Sequence, residues 1–234
     1  MSGRSGVGAR ALAEGLGTGF LVAAVVGSGI AAQRLSPDDV GLQLLQNSTA
    51  TVGVLAALIF AFGAVSGAHL NPVVTLAEWA LGRVDAATVG PYVAAQVVGG
   101  CLGAILANLM FELPAVELAT TDRVSAATVL AEVVATFGLL TVIFGVVHSG
   151  RAAVVPIAVA GYIGAAYWFT ASTSFANPAV TLARTLSDTF AGIRPASAPG
   201  FIAAQAVGAA LAVGAARILF PTEPSLEEAL DARS

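Results

Sequence analysis

The chain has 234 residues, 57% of them hydrophobic and 10% charged, with a mean hydropathy of +0.86, which excludes a soluble domain of this length and points to an integral membrane protein. Its net charge is -4 and its ten basic residues, all Arg, are thinly scattered, so neither nucleic-acid binding nor an acidic substrate is indicated. A single cysteine, Cys101, excludes an internal disulfide and lies in an apolar run as a small packing residue.

A spanning helix needs about 20 mostly apolar residues to cross about 30 Å of hydrocarbon. Six segments meet that need: roughly 9–32, 48–66, 88–110, 125–147, 152–172 and 198–220. The first follows Arg4 and Arg10 but is too long for a secretory leader and carries Glu14 near its start, so it reads as a retained span. The segments between are mostly short and charged: 33–47 with Arg34, Asp38 and Asp39; 111–124 with Glu112, Glu117, Asp122 and Arg123; and 148–151, a loop holding His148. Residues 1–8 read as an N-terminal tail and 221–234 as a solvated acidic tail with Glu223, Glu227, Glu228 and Asp231.

Two apolar runs are too short to span. They open at Asn71 and Asn177, and each holds about 11 or 12 residues, a helix of only about 17 Å. In each, Asn reads as the cap and Pro72 or Pro178 as the first helical residue, followed by Val73 or Ala179. Non-helical backbone at membrane depth is tolerated only where protein or a wet cavity surrounds it. Residues 66–70 and 171–176 are therefore expected to form re-entrant loops, each dipping to the midplane and returning through a half-helix.

The halves echo each other. Asn-Pro recurs at an offset of 106, Ala13-Glu14 recurs as Ala131-Glu132 at 118, and Ala95-Gln96 recurs as Ala204-Gln205 at 109. The order is kept while the offsets drift with loop length. Residues 9–220 thus read as one channel domain built from two repeats, about 9–110 and 125–220. Three spans per repeat force the second copy to insert upside down, so the fold class is all-α: six transmembrane helices plus two re-entrant half-helices in an inverted repeat. With both termini cytoplasmic, that side holds six Arg (4, 10, 83, 151, 217 and 233) against Arg34, Arg123, Arg184 and Arg194 outside, which favours this orientation.

In such an arrangement each capping Asn uses its side-chain oxygen on its own helix, and its amide NH2 is expected to point freely into the lumen as a donor. Asn71 and Asn177 then sit beside two helix starts each carrying about +0.5 charge, which repels a cation at the midplane. Glu14 and Glu132 are costly at membrane depth unless hydrogen-bonded. Gln96 and Gln205 read as interhelical ties, and Gly15, Gly19, Gly99 and Gly103 as sites of close helix crossing. His69 reads as structural, and too few ligands exist for a bound metal. Trp79, Tyr92, Tyr162, Tyr167 and Trp168 read as core or interface aromatics. No nucleophile and base pair can be assembled, so neither an enzyme nor a cofactor is expected.

Ser-Gly-Ala-His-Leu-Asn-Pro-Val at 66–73 and Asn-Pro-Ala at 177–179 resemble the two signature loops of the aquaporin and glycerol-facilitator family, and the likeness extends from Glu14 to about Phe220. The resemblance implies that Glu14 and Glu132 hold the re-entrant loops through their backbones, and that the chain is a plasma-membrane homotetramer passing small neutral solutes. It also implies a four-membered constriction ring, transferred by spacing onto Thr51, Ala165, Ser174 and Val180. Where water- and glycerol-conducting members carry Arg, this chain has Val180. Such a ring has no fixed charge and no large aromatic, so it is expected to be wide. Val180, with Thr185 to Pro195, resembles the bacterial arsenic-resistance branch, which extends the expected solutes to polyols and arsenite and puts Asp188 and Arg194 at the outer vestibule. An ion-coupled secondary transporter, also built from inverted repeats, is the main alternative; a junctional protein with a closed pore is another.

Overall fold

A computed structural model describes residues 6–220; the acidic tail and the first five residues lie outside them. The described residues form eight α-helices: α1 (Val7–Leu35), α2 (Val40–Ser66), α3 (Pro72–Ala80), α4 (Ala86–Met110), α5 (Ala126–His148), α6 (Val155–Phe169), α7 (Pro178–Ala183) and α8 (Ala198–Leu219). α3 and α7 are the half-helices. The other six are apolar, and all but α6 are long enough to span by themselves; α6 reaches that length with the 3-10 turn at Ala152–Val154 that precedes it.

Several boundaries differ from the sequence expectation. α1 begins at Val7, inside the expected tail, and α2 begins at Val40 rather than at 48, capped by Asp39, whose side chain accepts from Leu42 N. The first two turns of α2 escaped notice because they contain Gln43, Gln46 and Asn47. Those polar groups turn inward: Gln43 Nε2 donates to Ser36 O (2.7 Å), and Asn47 Nδ2 to Val25 O (2.8 Å) and Ser28 Oγ (2.9 Å). The half-helices are shorter than expected. α3 has nine residues and ends before Gly82, whose φ of 73° breaks it. α7 has six and tightens into a 3-10 turn at Arg184–Leu186. His148 is the last residue of α5, its ring 5.3 Å from that of Phe220, and not part of a loop.

Helices α1 to α4 and α5 to α8 are equivalent sets. α1 packs on α4 as α5 packs on α8, α2 meets α6, and α3 and α7 touch at the centre. With an even number of spans, Val7 and Leu219 lie at one end of the molecule. α3 runs from the centre toward that end and α7 toward the opposite, far end. Large apolar side chains such as Leu12, Phe20, Leu102, Leu130 and Ile157 are exposed around the circumference, the surface hydrocarbon would cover.

The α1–α4 seam depends on missing side chains. A Cβ at Gly99 would lie 2.0 Å from Gly15 O, and one at Gly103 2.1 Å from Gly19 O. In the second repeat, a Cβ at Gly208 would meet Val133 O at 2.5 Å. These obstacles are backbone, which cannot swing aside. Gly103→Ala is therefore expected to destabilise the fold by about 1–3 kcal/mol, whereas Gly53→Ala, with no neighbour within 4 Å, should be neutral or slightly stabilising. Thermal unfolding of the two variants in detergent makes the comparison.

Candidate functional site

The two loops between spanning helix and half-helix hold backbone that helices cannot satisfy. Gly67, Ala68 and Leu70 have φ of 89°, 47° and 50°; their equivalents Thr173, Ser174 and Ala176 have 60°, 53° and 48°. Left-handed backbone at non-glycine residues costs about 1–3 kcal/mol each and persists only where its surroundings over-determine it. Here two buried carboxylates do so. Glu14 Oε1 accepts from Ser66 Oγ (2.6 Å) and His69 N (2.9 Å), and Oε2 from Leu70 N (2.6 Å) and Gln96 Nε2 (2.8 Å). Glu132 accepts from Phe175 N (2.9 Å), Ala176 N (2.8 Å) and Gln205 Nε2 (2.6 Å).

The glutamines reach further. Gln96 Nε2 also donates to Thr75 Oγ1 (3.0 Å) and Gln205 Nε2 to Thr181 Oγ1 (2.9 Å), so each carboxylate, loop and half-helix is fastened to α4 or α8. Thr75 Oγ1 and Thr181 Oγ1 donate in turn to the carbonyls of Asn71 (3.2 Å) and Asn177 (2.8 Å). His69 Nδ1 lies 3.0 Å from Thr75 Oγ1 and ties its loop to α3. Phe175 stands at the equivalent position and makes no such bond.

At the centre the two caps meet. Asn71 Oδ1 accepts from Val73 N (3.1 Å), and Asn177 Oδ1 from Ala179 N (3.0 Å) and Val180 N (3.3 Å), behind Pro72 and Pro178 at the first helical positions. The side-chain amides are not wholly free, as the sequence had suggested. Asn71 Nδ2 donates to Ala176 O and Asn177 Nδ2 to Leu70 O, both at 2.8 Å. The left-handed residues turn those carbonyls toward the opposing loop, so one N–H of each amide crosses over and the other has no partner among the described residues.

A cavity of about 650 Å³ runs past this centre, with both Asn residues in its wall. Leu21, Ile59, Leu139, Val159 and Ile163 make one side apolar; the loop residues make the other polar. Thr51, Ser174 and Val180 line it toward the far end. Ala165 does not: it lies on the exposed face of α6, and the lining there comes from Ile163 and Tyr167. Counting back from Asn177 slipped because α6 ends at Phe169 and an extended loop follows; two positions rotate a side chain by about 200°. Tyr167 thus puts an aromatic side chain on the cavity wall at this level. Thr51 Oγ1 donates to Asn47 O (2.9 Å), so the Tyr167 hydroxyl, 3.2 Å away, donates to Thr51.

Arg184 also lines the cavity, which the sequence reading missed. It follows Val180 by four positions, and that i,i+4 spacing on one half-helix face was the available signal. Asp188 and Arg194 fasten surface loops instead of lining the cavity. Asp188 Oδ1 accepts from Thr120 N (2.9 Å), and Arg194 Nη1 approaches Asp122 Oδ2 at 4.0 Å. The Ser197 hydroxyl and the Val124 N–H donate to Asp122 and hold its carboxyl below the usual carboxylate range.

Six spanning helices around two opposed half-helices, with a passage that is apolar on one side and polar on the other, define a multi-pass membrane channel of the aquaporin kind. Residues 4–173 match the Major intrinsic protein family, and the chain belongs to it. The aquaglyceroporin AqpS of Rhizobium meliloti (strain 1021) is 48% identical over 220 residues, 94% of each chain. The aquaporin AqpM of Methanothermobacter thermautotrophicus is 32% identical over 87% of this chain and 94% of its own. The X-ray structure of the aquaglyceroporin from Plasmodium falciparum, at 20% identity, shares the fold with a TM-score of 0.74 over 98% of this chain and 100% of that one. The protein is a passive channel of the water and glycerol class.

Glu132→Ala would leave two loop N–H groups and one N–H of the Gln205 amide without their acceptor, each buried orphan costing about 1–3 kcal/mol. The expected outcome is a lower unfolding temperature in detergent, with loss of solute flux in the vesicle-reconstituted fraction that remains folded.

Proposed function

We propose that this channel passes water, glycerol and larger uncharged hydroxylated solutes, including trihydroxy metalloids such as arsenous acid, through a constriction formed by Thr51, Tyr167, Ser174 and Val180. Val180 carries the reading: a short apolar side chain stands where the family resembled places Arg in narrower members. Tyr167 is drawn back against α2 by its bond to Thr51, and Ser174 is small.

Past the constriction, a solute would exchange loop carbonyls for the remaining amide donors of Asn71 and Asn177. Each step replaces a hydrogen bond to water with one to the wall, while the apolar side gives the solute's carbon or arsenic face no competing partner. Two helix starts at this point favour oxygen acceptors over cations. Glu14, Glu132, His69, Gln96 and Gln205 would hold the loops and take no part in solute exchange. Homotetramer assembly is supported by the family resemblance, and a plasma-membrane location with cytoplasmic termini by that resemblance and the distribution of Arg.

Stopped-flow measurement of water, glycerol and arsenous acid entry into the same proteoliposomes tests this. Glycerol and arsenous acid fluxes should rise in proportion to concentration without an ion gradient; water flux alone would sink the wide-constriction reading, and saturable, gradient-driven uptake would favour coupled transport. Val180→Arg should cut arsenous acid flux at least about tenfold, equivalent to about 1.4 kcal/mol of added barrier. Unchanged flux would remove Val180 from the constriction.

A further inference from the structure

The pore wall that lacks a charge at Val180 carries one a single helical turn further toward the far mouth. Arg184 is buried, with 3% of its surface exposed, and lines the cavity. Its guanidinium carbon lies 3.5 Å from the centre of the Phe175 ring, a stacked arrangement, and its Nε donates to Ala191 O. Its own carbonyl accepts from Ile193 N (3.3 Å). The side chain is therefore fixed from two sides.

Two features make this more than a structural arginine. The ion pairs among the described residues are Arg83–Glu78 and Arg194–Asp122, so no carboxylate pairs with Arg184. Its Nη1 and Nη2 have no hydrogen-bond partner among the described residues, leaving donors available on the cavity wall. Arg123 supplies a contrast. It lies over the same ring at 5.6 Å but outside the cavity wall, with Nε donating to Gly192 O (2.7 Å) and Nη2 to Phe190 O (2.8 Å). Its donors fasten a loop, whereas Arg184 lines the passage and its Nη groups have no protein acceptor among the described residues.

We propose that Arg184 is the charge filter of this pore, barring monovalent cations at the far mouth and leaving the Val180 level free for wider neutral solutes. An unpaired positive charge in a low-dielectric wall acts on a cation far more strongly than the same charge in water. Phe175 and the Ala191 carbonyl position it, and neither neutralises it. Charge exclusion and width are thereby assigned to different levels of one half-helix.

This rests on the channel reading above, and one preparation separates the two. Proteoliposomes carrying the full chain or Arg184→Leu are compared for glycerol entry by stopped flow and for sodium entry by a potential-sensitive dye. Sodium entry should rise at least tenfold in Arg184→Leu with glycerol entry retained, and Arg184→Lys should restore exclusion. An Arg184→Leu protein that conducts glycerol and remains as tight to sodium as the unaltered chain overturns the proposal. Absence of glycerol entry in the unaltered chain would instead overturn the channel reading. Should Arg184→Leu fail to fold, Arg184→Gln, close in shape and uncharged, decides by the same two rates.

Discussion

Every backbone polar group at membrane depth must find a partner, because hydrocarbon offers none and each failure costs several kcal/mol. A channel with two non-helical loops meeting at its centre is the hardest place to meet that demand. Here it is met by two carboxylates and two amides. Glu14 and Glu132 take the N–H groups of residues 69, 70, 175 and 176, while Asn71 and Asn177 exchange bonds with the carbonyls of Ala176 and Leu70. The loops thus satisfy each other across the interface between repeats. Neither repeat is complete at the centre without the other, which is a physical reason for them to be joined in one chain.

That central exchange constrains packing several turns away. Gln96 can reach Glu14 only because α4 lies against α1, and the α1–α4 seam is close because Gly15, Gly19, Gly99 and Gly103 bring backbone to backbone. The second repeat obtains a similar approach with Gly208 against the Val133 carbonyl. Small residues on the helix seams and polar residues at the core are therefore parts of one arrangement. The seam sets the distance at which the glutamine's amide bridges a carboxylate on one helix and a threonine on a half-helix.

The architecture was legible because it depended on discrete markers: two Asn-Pro starts, two Glu, two Gln, in one order. The centre was legible for the same reason, except that sequence could not reveal that each Asn amide is half occupied by the opposing loop. Features set by continuous geometry were harder to read. α2 begins eight residues earlier than its apolar run because Gln43 and Asn47 are polar yet internally satisfied. Ala165 was assigned by counting through a segment whose helix ends at Phe169, and it falls on the exposed face of α6 while Tyr167 lines the cavity. Arg184 was read as a charge beyond a membrane segment because a charge past a half-helix resembles a surface loop, and only its i,i+4 spacing from Val180 pointed inward. Only the stack on Phe175 and the Ala191 carbonyl reveal why it can stay inside.

The inverted symmetry is strict at the centre and relaxed toward the mouths. The carboxylate, glutamine, threonine and asparagine bonds recur in both repeats. The half-helices, however, have nine and six residues, and His69 in one loop is replaced by Phe175 at the equivalent position of the other. Backbone satisfaction imposes identical requirements on both loops, so substitutions there are restricted in both. Beyond the first turn of each half-helix that requirement ends, and the wall is free to differ. Phe175 illustrates the consequence: the position that in the first repeat fastens a loop to its half-helix becomes, in the second, the aromatic surface on which Arg184 rests. Selectivity can therefore vary at a mouth while the central scaffold that makes the passage possible stays unchanged.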